Sequence, residues 1–240
     1  MSTLQTRVSV IIPTHNEAQA IGLVLGDLPS DLITEVIVVD SNSSDGTPEI
    51  AARLGARVVH EPRRGYGQAC LTGIAAADAP DILVFLDGDY SDRPSELPAL
   101  LAPILEGHAE IAIGSRLRGP RAGRAMPWHQ AFGNRLAASL IRLFYRVHLT
   151  DLGPFRTCRA DVIRKLGLEE TTYGWAVEMI LKGALAGYRI VEVPVSYHPR
   201  IGTSKISGTL KGTAGAAWFI LTLIVRYHFR HGLERKTRQA

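Results

Sequence analysis

Two cysteines, Cys70 and Cys158, are all that the 240 residues contain. That excludes a disulfide framework and a cysteine-built zinc site. No apolar run approaches the roughly 20 residues a membrane-spanning helix needs. The uncharged stretch from Gly212 to Val225 stops at fourteen, diluted by Gly and Thr. No apolar leader opens the chain, so the catalytic portion is expected in the cytoplasm. There is no Gly-x-x-x-x-Gly-Lys-Ser/Thr, which rules out a P-loop. The dinucleotide fingerprint is also missing, because the first strand-like run meets Pro13-Thr14-His15-Asn16-Glu17 instead of glycines. Gly65-Tyr66-Gly67 is a Gly-x-Gly, but Cys70 replaces the third glycine and the motif follows the third strand. Repeats, low-complexity tracts and long linkers are absent.

What is present centres on Asp87-Gly88-Asp89, at the end of the apolar run Ile82–Leu86. Carboxylates at i and i+2 share a face of a continuing strand, and a turn at Gly88 also converges them. Oxygen ligands of this kind suit Mg²⁺ or Mn²⁺, held by one or two carboxylates plus substrate phosphates. Asp-Gly-Asp is equally a good turn sequence, so its neighbours decide. An EF-hand loop fails, since counting from Asp87 gives Ser91, Asp92 and Pro98 where Asp, Gly and Glu are required.

Short β-branched runs at Val8–Ile12, Val36–Val39 and Arg57–His60 read as buried strands, and Glu110–Gly114 as another. Between them lie helices, expected from near Glu17 with Asn16 or Thr14 as cap, from Asp45 or Thr47 through Leu54, and over Ala69–Ala77. Such alternation predicts an α/β fold with a mostly parallel, doubly wound sheet. Ligands in such sheets bind at the carboxyl ends of the strands. Pro13–Glu17, Asp40–Asp45 and Asp87–Asp89 all sit there.

Pro13-Thr14-His15-Asn16-Glu17, Val39-Asp40-Ser41-Asn42-Ser43-Ser44-Asp45-Gly46-Thr47, Gly65-Tyr66-Gly67-Gln68-Ala69 and Asp87-Gly88-Asp89 resemble the successive motifs of family 2 glycosyltransferases of GT-A fold. The branch of dolichyl- and polyprenyl-phosphate sugar synthases is the nearest in pattern. The resemblance covers about residues 7 to 210. It implies a metal-dependent inverting transfer from a nucleotide-diphosphate sugar, UDP- or GDP-linked, to polyprenyl phosphate. The alternatives are a hydroxyl acceptor on the same fold and a non-catalytic nucleotide-sugar binder. Two positions depart from the usual pattern: His15 stands where Tyr or Phe is common, and Ser41 where many members carry a second Asp.

By the same resemblance Pro13, Glu17 and Asp40 contact the nucleoside, His15 belongs to the donor-binding set, and Asp87 and Asp89 bracket Mg²⁺ or Mn²⁺ on the diphosphate. Arg116, after Gly114-Ser115, meets phosphate. The Arg200-x-Gly202-x-Ser204-Lys205 segment folds over the donor. Asp151-Leu152-Gly153-Pro154-Phe155-Arg156 lies toward the acceptor. Glu178 falls where many members place an acceptor-activating carboxylate, which a hydroxyl acceptor needs and a phosphate does not. Asp89, Arg116 and Glu178 are therefore the expected catalytic residues.

Charge is unevenly spread. Ile111 to Thr150 contains no acid but seven arginines, Arg116, Arg118, Arg121, Arg124, Arg135, Arg142 and Arg146. Uncompensated charge of one sign suits phosphate. Arg118 to Arg124 reads as a mobile loop, and Arg135 as a donor-side residue on a helix over Trp128–Tyr145. A nucleic-acid partner is set aside, as no RNA-binding motif or aromatic platform accompanies the arginines. Arg226 to Ala240 carries five basic residues against Glu234. With Gly212–Val225 it predicts an interfacial helix and basic tail on an anionic leaflet, against a core-packed helix as the plainer reading. The expected organisation is a GT-A domain over 1–210, then a membrane-proximal helix and tail over 211–240, peripheral on the inner leaflet. Self-association is left open.

Overall fold

The computed structural model describes residues 6–121, 128–202 and 219–229, with backbone only at 128–130. Seven strands form one sheet: β1 (Val8–Thr14), β2 (Glu35–Asp40), β3 (Arg57–His60), β4 (Ile82–Phe85), β5 (Ile111–Ser115), β6 (Arg156–Arg159) and β7 (Ile190–Pro194), ordered β3-β2-β1-β4-β6-β5-β7. The helices are α1 (Ile21–Gly26), α2 (Thr47–Arg53), α3 (Tyr66–Ala76), α4 (Leu97–Leu105), α5 (Trp128–Tyr145), α6 (Ala160–Leu166), α7 (Trp175–Leu185) and α8 (219–229).

The β-branched runs form a sheet buried on both faces, as parallel sheets require. Alternation along β1 sends Ile11 into one core with Ile37, Leu83 and Phe85, and Val8, Val10 and Ile12 into the other with Val38 and Val84. The first core is covered by residues of α3, α5, α6, α7 and α8, the second by α1, α2 and α4.

Most strands run parallel, but β6 enters between β4 and β5 and is antiparallel to both. β7 is the edge strand, as Pro194 predicts, since an edge tolerates a missing N–H. Two helices were not evident from the pattern. In α4, Leu97, Leu100, Leu101 and Ile104 have clear helical spacing, but Pro98 and Pro103 mask it. The short α6 is the other.

Helix α1 starts at Ile21, later than the expected start near Glu17. The reason is Asn16, which takes a left-handed φ of 54° and faces the second loop instead. Its N–H donates to Ser43 Oγ at 2.8 Å, and its Oδ1 accepts from Ser44 N at 2.8 Å. Helix α2 begins at Thr47 behind Gly46, whose φ of 90° suits glycine, so neither Asp45 nor Thr47 is its N-cap; Asp45 Oδ1 accepts from Thr47 N at 3.1 Å from just outside the helix. The separate C-terminal helix expected over 211–240 falls partly outside the described residues. Within 219–229, Leu223 and Ile224 are buried in the first core, and Tyr145 donates to Ile224 O at 2.7 Å. Among the described residues no helix is long and apolar enough to cross a membrane.

Where α3 crosses β1, a methyl at Gly73 would run into the Ile11 side chain and come within 3.2 Å of Val39 Cγ2, whereas one at Gly133 in α5 meets nothing within 4 Å. Gly73→Ala is expected to destabilise by about 1–3 kcal/mol through overpacking. Gly133→Ala is expected to stabilise by up to about 1 kcal/mol through helix propensity. Urea unfolding of both variants checks the opposite signs.

Candidate active site

The carboxyl ends of β1, β2 and β4 meet along one edge. The register places Thr14 beside Asp40, and β4 runs straight into Leu86-Asp87-Gly88-Asp89. Each of the three loops holds one non-glycine residue at positive φ: Asn16, Asn42 at 58° and Tyr90 at 59°. Strain of this sort survives only where surrounding structure fixes it, and it clusters at functional sites.

Asp40 is buried. Its Oδ2 accepts from Ser43 N at 3.0 Å, while its Oδ1 has no partner among the described residues. A buried acceptor without a donor is costly, and a base N–H or ribose hydroxyl would satisfy it. His15 Nδ1, on the neighbouring loop, is likewise buried and unpaired. Pro13 sits at the end of β1, in register with Val39.

Asp89 is buried, and its Oδ1 accepts from Ser91 N at 2.9 Å. Its Oδ2 receives Arg200 Nη2 at 3.1 Å, and the same nitrogen reaches Glu17 Oε1 at 3.5 Å. The segment carrying Arg200 is stitched down on the acids. His198 N donates to Ser91 O at 2.9 Å and Ile201 N to Asp89 O at 3.0 Å. Gly202 takes a φ of 91° over Glu17. The segment expected to fold over the donor lies against Asp89, Ser91 and Glu17 through residue 202; Ser204, Lys205 and Arg124 fall outside the described residues.

Burial and then the neighbouring Asp89 push the Asp87 carboxyl up, against the pull of Arg116 and Arg200. Asp92, which sequence reasoning did not single out, is also buried, with both oxygens unpaired. Burial drives its carboxyl well above the usual range although Arg116 opposes this. Among the described residues no group of three or more His, Cys, Asp or Glu forms a complete ligand set. Asp87 and Asp89 supply two carboxylates, and a Mg²⁺ or Mn²⁺ site built on one or two carboxylates draws its remaining oxygens from substrate phosphates and water.

Arg116 is not a free phosphate ligand here. It is buried and clasps Asp151 twice, Nε to Oδ2 at 2.7 Å and Nη2 to Oδ1 at 2.9 Å. Asn134 of α5 donates to the same Asp151 at 2.6 Å. Burial works against ionisation of both partners, but their mutual attraction outweighs it: Arg116 is held above its ordinary value and Asp151 below. The Tyr197 ring lies 5.0 Å from the Arg116 guanidinium. Asp151 and Arg156, read as acceptor-side residues, turn out to be anchors. Arg156 is buried and donates to Ala176 O at 2.7 Å and to Gly153 O. Arg135 is exposed on α5 and Arg118 half-exposed beside Glu192.

Glu178 is placed elsewhere, fully buried on α7. Its oxygens accept from Glu169 N at 3.0 Å, Glu170 N at 2.8 Å and Tyr227 Oη at 2.8 Å, and pair with Lys182 at 2.8 Å. With every lone pair taken, it ties α7 to the 169–170 turn and to α8. Gly65 and Gly67 pack closely against the 170–171 backbone. Gly67 N and Gln68 N donate to Thr172 O at 3.1 Å and Thr171 O at 2.8 Å. Sequence reasoning also missed Glu61, buried and held low by Arg63 and Thr72; the sequence signal was its spacing to Arg63.

The family model described as "Glycosyl transferase family 2" matches residues 9–167. An uncharacterized glycosyltransferase of Mycobacterium tuberculosis is 38% identical over 207 residues, 86% of this chain and 92% of its own. A dolichyl-phosphate hexose transferase of Haloferax volcanii is 35% identical over 86% of this chain and 90% of its own. An undecaprenyl-phosphate mannosyltransferase of Micrococcus luteus is 36% identical over 87% and 90%. In fold, the chain is similar to glucosyl-3-phosphoglycerate synthase of Mycobacterium tuberculosis, solved with Mn²⁺, UDP and phosphoglyceric acid. The TM-score is 0.75 at 22% identity, over 94% of this chain and 79% of the other.

Two substitutions separate holding roles from chemistry. Asp151→Ala strands a buried Arg116 and is expected to cost about 3–5 kcal/mol of stability. Because the Asp151 pKa is lowered on folding, its contribution is full above the unfolded value near 4 and fades as pH falls through the folded one. Denaturation from pH 7 to 3 should show the wild type converging on the variant. Glu178→Gln should lose about 1–3 kcal/mol, while the folded enzyme keeps turnover within about twofold, too little to be the loss of a general base.

Proposed function

The chain belongs to glycosyl transferase family 2, and from that premise we propose that it moves a hexosyl unit from a UDP- or GDP-sugar to a polyprenyl phosphate, with inversion. Asp40 and His15, each with a buried unpaired atom, take the nucleoside, and Pro13 and Glu17 line the same end. Arg200 leaves Asp89 for the donor diphosphate, joined by Ser204 and Lys205. A divalent cation, Mg²⁺ or Mn²⁺, bound by Asp87 and Asp89 would neutralise charge on the departing diphosphate. The Mn²⁺ named with the structural neighbour agrees with this donor set.

Glu178 carries the choice of acceptor. A hydroxyl acceptor must lose a proton to a base, and this residue, the sequence's candidate, has its oxygens occupied. A phosphate acceptor is already anionic. One of its oxygens forms the new bond to the anomeric carbon as the bond to the nucleoside diphosphate breaks, and no proton moves. The names of the Haloferax volcanii and Micrococcus luteus relatives, dolichyl-phosphate and undecaprenyl-phosphate transferases, support the same acceptor class. Such an acceptor puts the enzyme at a membrane surface, bound peripherally from the cytoplasmic side. In this reading residues 1–210 form the transferase unit, and the chain beyond serves the membrane.

The test is transfer from radiolabelled UDP- and GDP-sugars with and without Mn²⁺ or Mg²⁺ and polyprenyl phosphate. Label should enter the lipid phase only with both metal and lipid phosphate. Nucleotide release without lipid label would replace the acceptor with a hydroxyl. Asp87→Asn with Asp89→Asn should lower transfer on the order of 10³-fold; unchanged turnover would remove the cation from the reading.

A further inference from the structure

Helix α5 is apolar on two opposite sides. Ala137, Ala138, Ile141 and Tyr145 are buried in the first core. At about 100° per residue, Phe132, Leu136 and Leu143 fall together on the far side. They are 63%, 40% and 70% exposed. A soluble helix normally turns polar residues outward there, and a contiguous exposed apolar stripe marks an interaction surface.

The residues beside the stripe identify the partner. Arg135, Arg142 and Arg146 are exposed along α5 and at its end. The sequence from 111 to 150 offers no acid to balance them. A two-fold contact with a second copy would bring the same arginines together without an acid from this helix. An anionic lipid surface meets both demands, taking apolar side chains among its headgroups and arginines at its phosphates. Helix α8 extends the same construction. It is fixed to α5 by the Tyr145–Ile224 hydrogen bond and by His228 stacked on Phe144 at 4.5 Å, and it exposes Val225, Arg226 and Phe229.

We infer that α5 is the membrane-seating element of this protein, with Phe132, Leu136 and Leu143 entering the headgroup layer of an anionic bilayer and Arg135, Arg142 and Arg146 binding its phosphates. The purpose of this seat rests on the lipid-acceptor reading; its geometry does not. The same helix reaches the site through Asn134, which holds Asp151 and so Arg116. Seating α5 therefore fixes the height of the acid cluster above the lipid surface. Arg135, expected to bind the donor, is reassigned to the bilayer.

Both native cysteines are buried, so a single cysteine introduced as Leu143→Cys in the full chain can carry an environment-sensitive fluorophore. Vesicles of phosphatidylglycerol and phosphatidylcholine should shift its emission to the blue, and phosphatidylcholine alone should not. The same label at Glu49→Cys, exposed on α2, should not respond. Combined Phe132→Ser, Leu136→Ser and Leu143→Ser should weaken vesicle co-sedimentation at least tenfold while Mn²⁺-dependent nucleotide-sugar binding is unchanged. A silent label at 143, an equal response at 49, or undiminished sedimentation of the triple variant would overturn the inference. A blue emission without vesicles that fades on dilution would do so in favour of self-association. Lipid labelling in the transfer assay with a silent 143 would keep the acceptor and discard this seat; vesicle binding with a hydroxyl acceptor would do the reverse.

Discussion

Negative charge crowded at one edge of a sheet is the constraint around which this molecule is arranged. Glu17, Asp40, Asp89, Asp92 and Asp151 are all buried there, with Asp87 among them. Such a cluster cannot stand uncompensated, because desolvated like charges disfavour ionisation. Two arginines answer it in different ways. Arg116 is locked to Asp151 by two hydrogen bonds and forms part of the frame. Arg200 arrives on a strap from the end of the sheet and rests on Asp89 and Glu17 by single contacts at 3.1 and 3.5 Å. One countercharge is held by several hydrogen bonds inside the frame, the other by one contact to each of two acids.

The legible part of the fold was the part that burial writes into residue type. β3 lies where the run Arg57–His60 put it, and α5 spans Trp128–Tyr145 as its pattern indicated. Edge placement of β7 followed from Pro194. Elements governed by distant partners were not legible. The late start of α1 depends on Asn16 bonding to Ser43 and Ser44 across a neighbouring loop, and no local propensity encodes that. The insertion of β6 depends on pairing with strands far away in sequence.

The site divides in the same way. Motif spacing located the three loops and their carboxylates, because the ends of parallel strands fall at one edge regardless of detail. It could not tell a ligand from an anchor. Arg116, Arg156 and Glu178 carry the charge and position expected of functional residues, yet each is buried and bonded to groups of the protein itself. Asp92 carries no motif, and its burial without partners shows only in three dimensions.

The placement of β6 has a consequence for how the chain is made. Strands β1 to β3, and β4 on its β1 side, find their neighbours within the first 85 residues. β5 has none among them: its partners are β6 and β7, both later in the chain. During synthesis β5 is therefore an apolar strand with two open edges until residue 156 leaves the ribosome, and β4 keeps one edge open for the same interval. Long-range pairing of this kind is slow and exposes sticky edges meanwhile. Half of the sheet is thus complete early while the other half waits on one four-residue strand, and that interval is when a nascent chain of this topology most needs a chaperone.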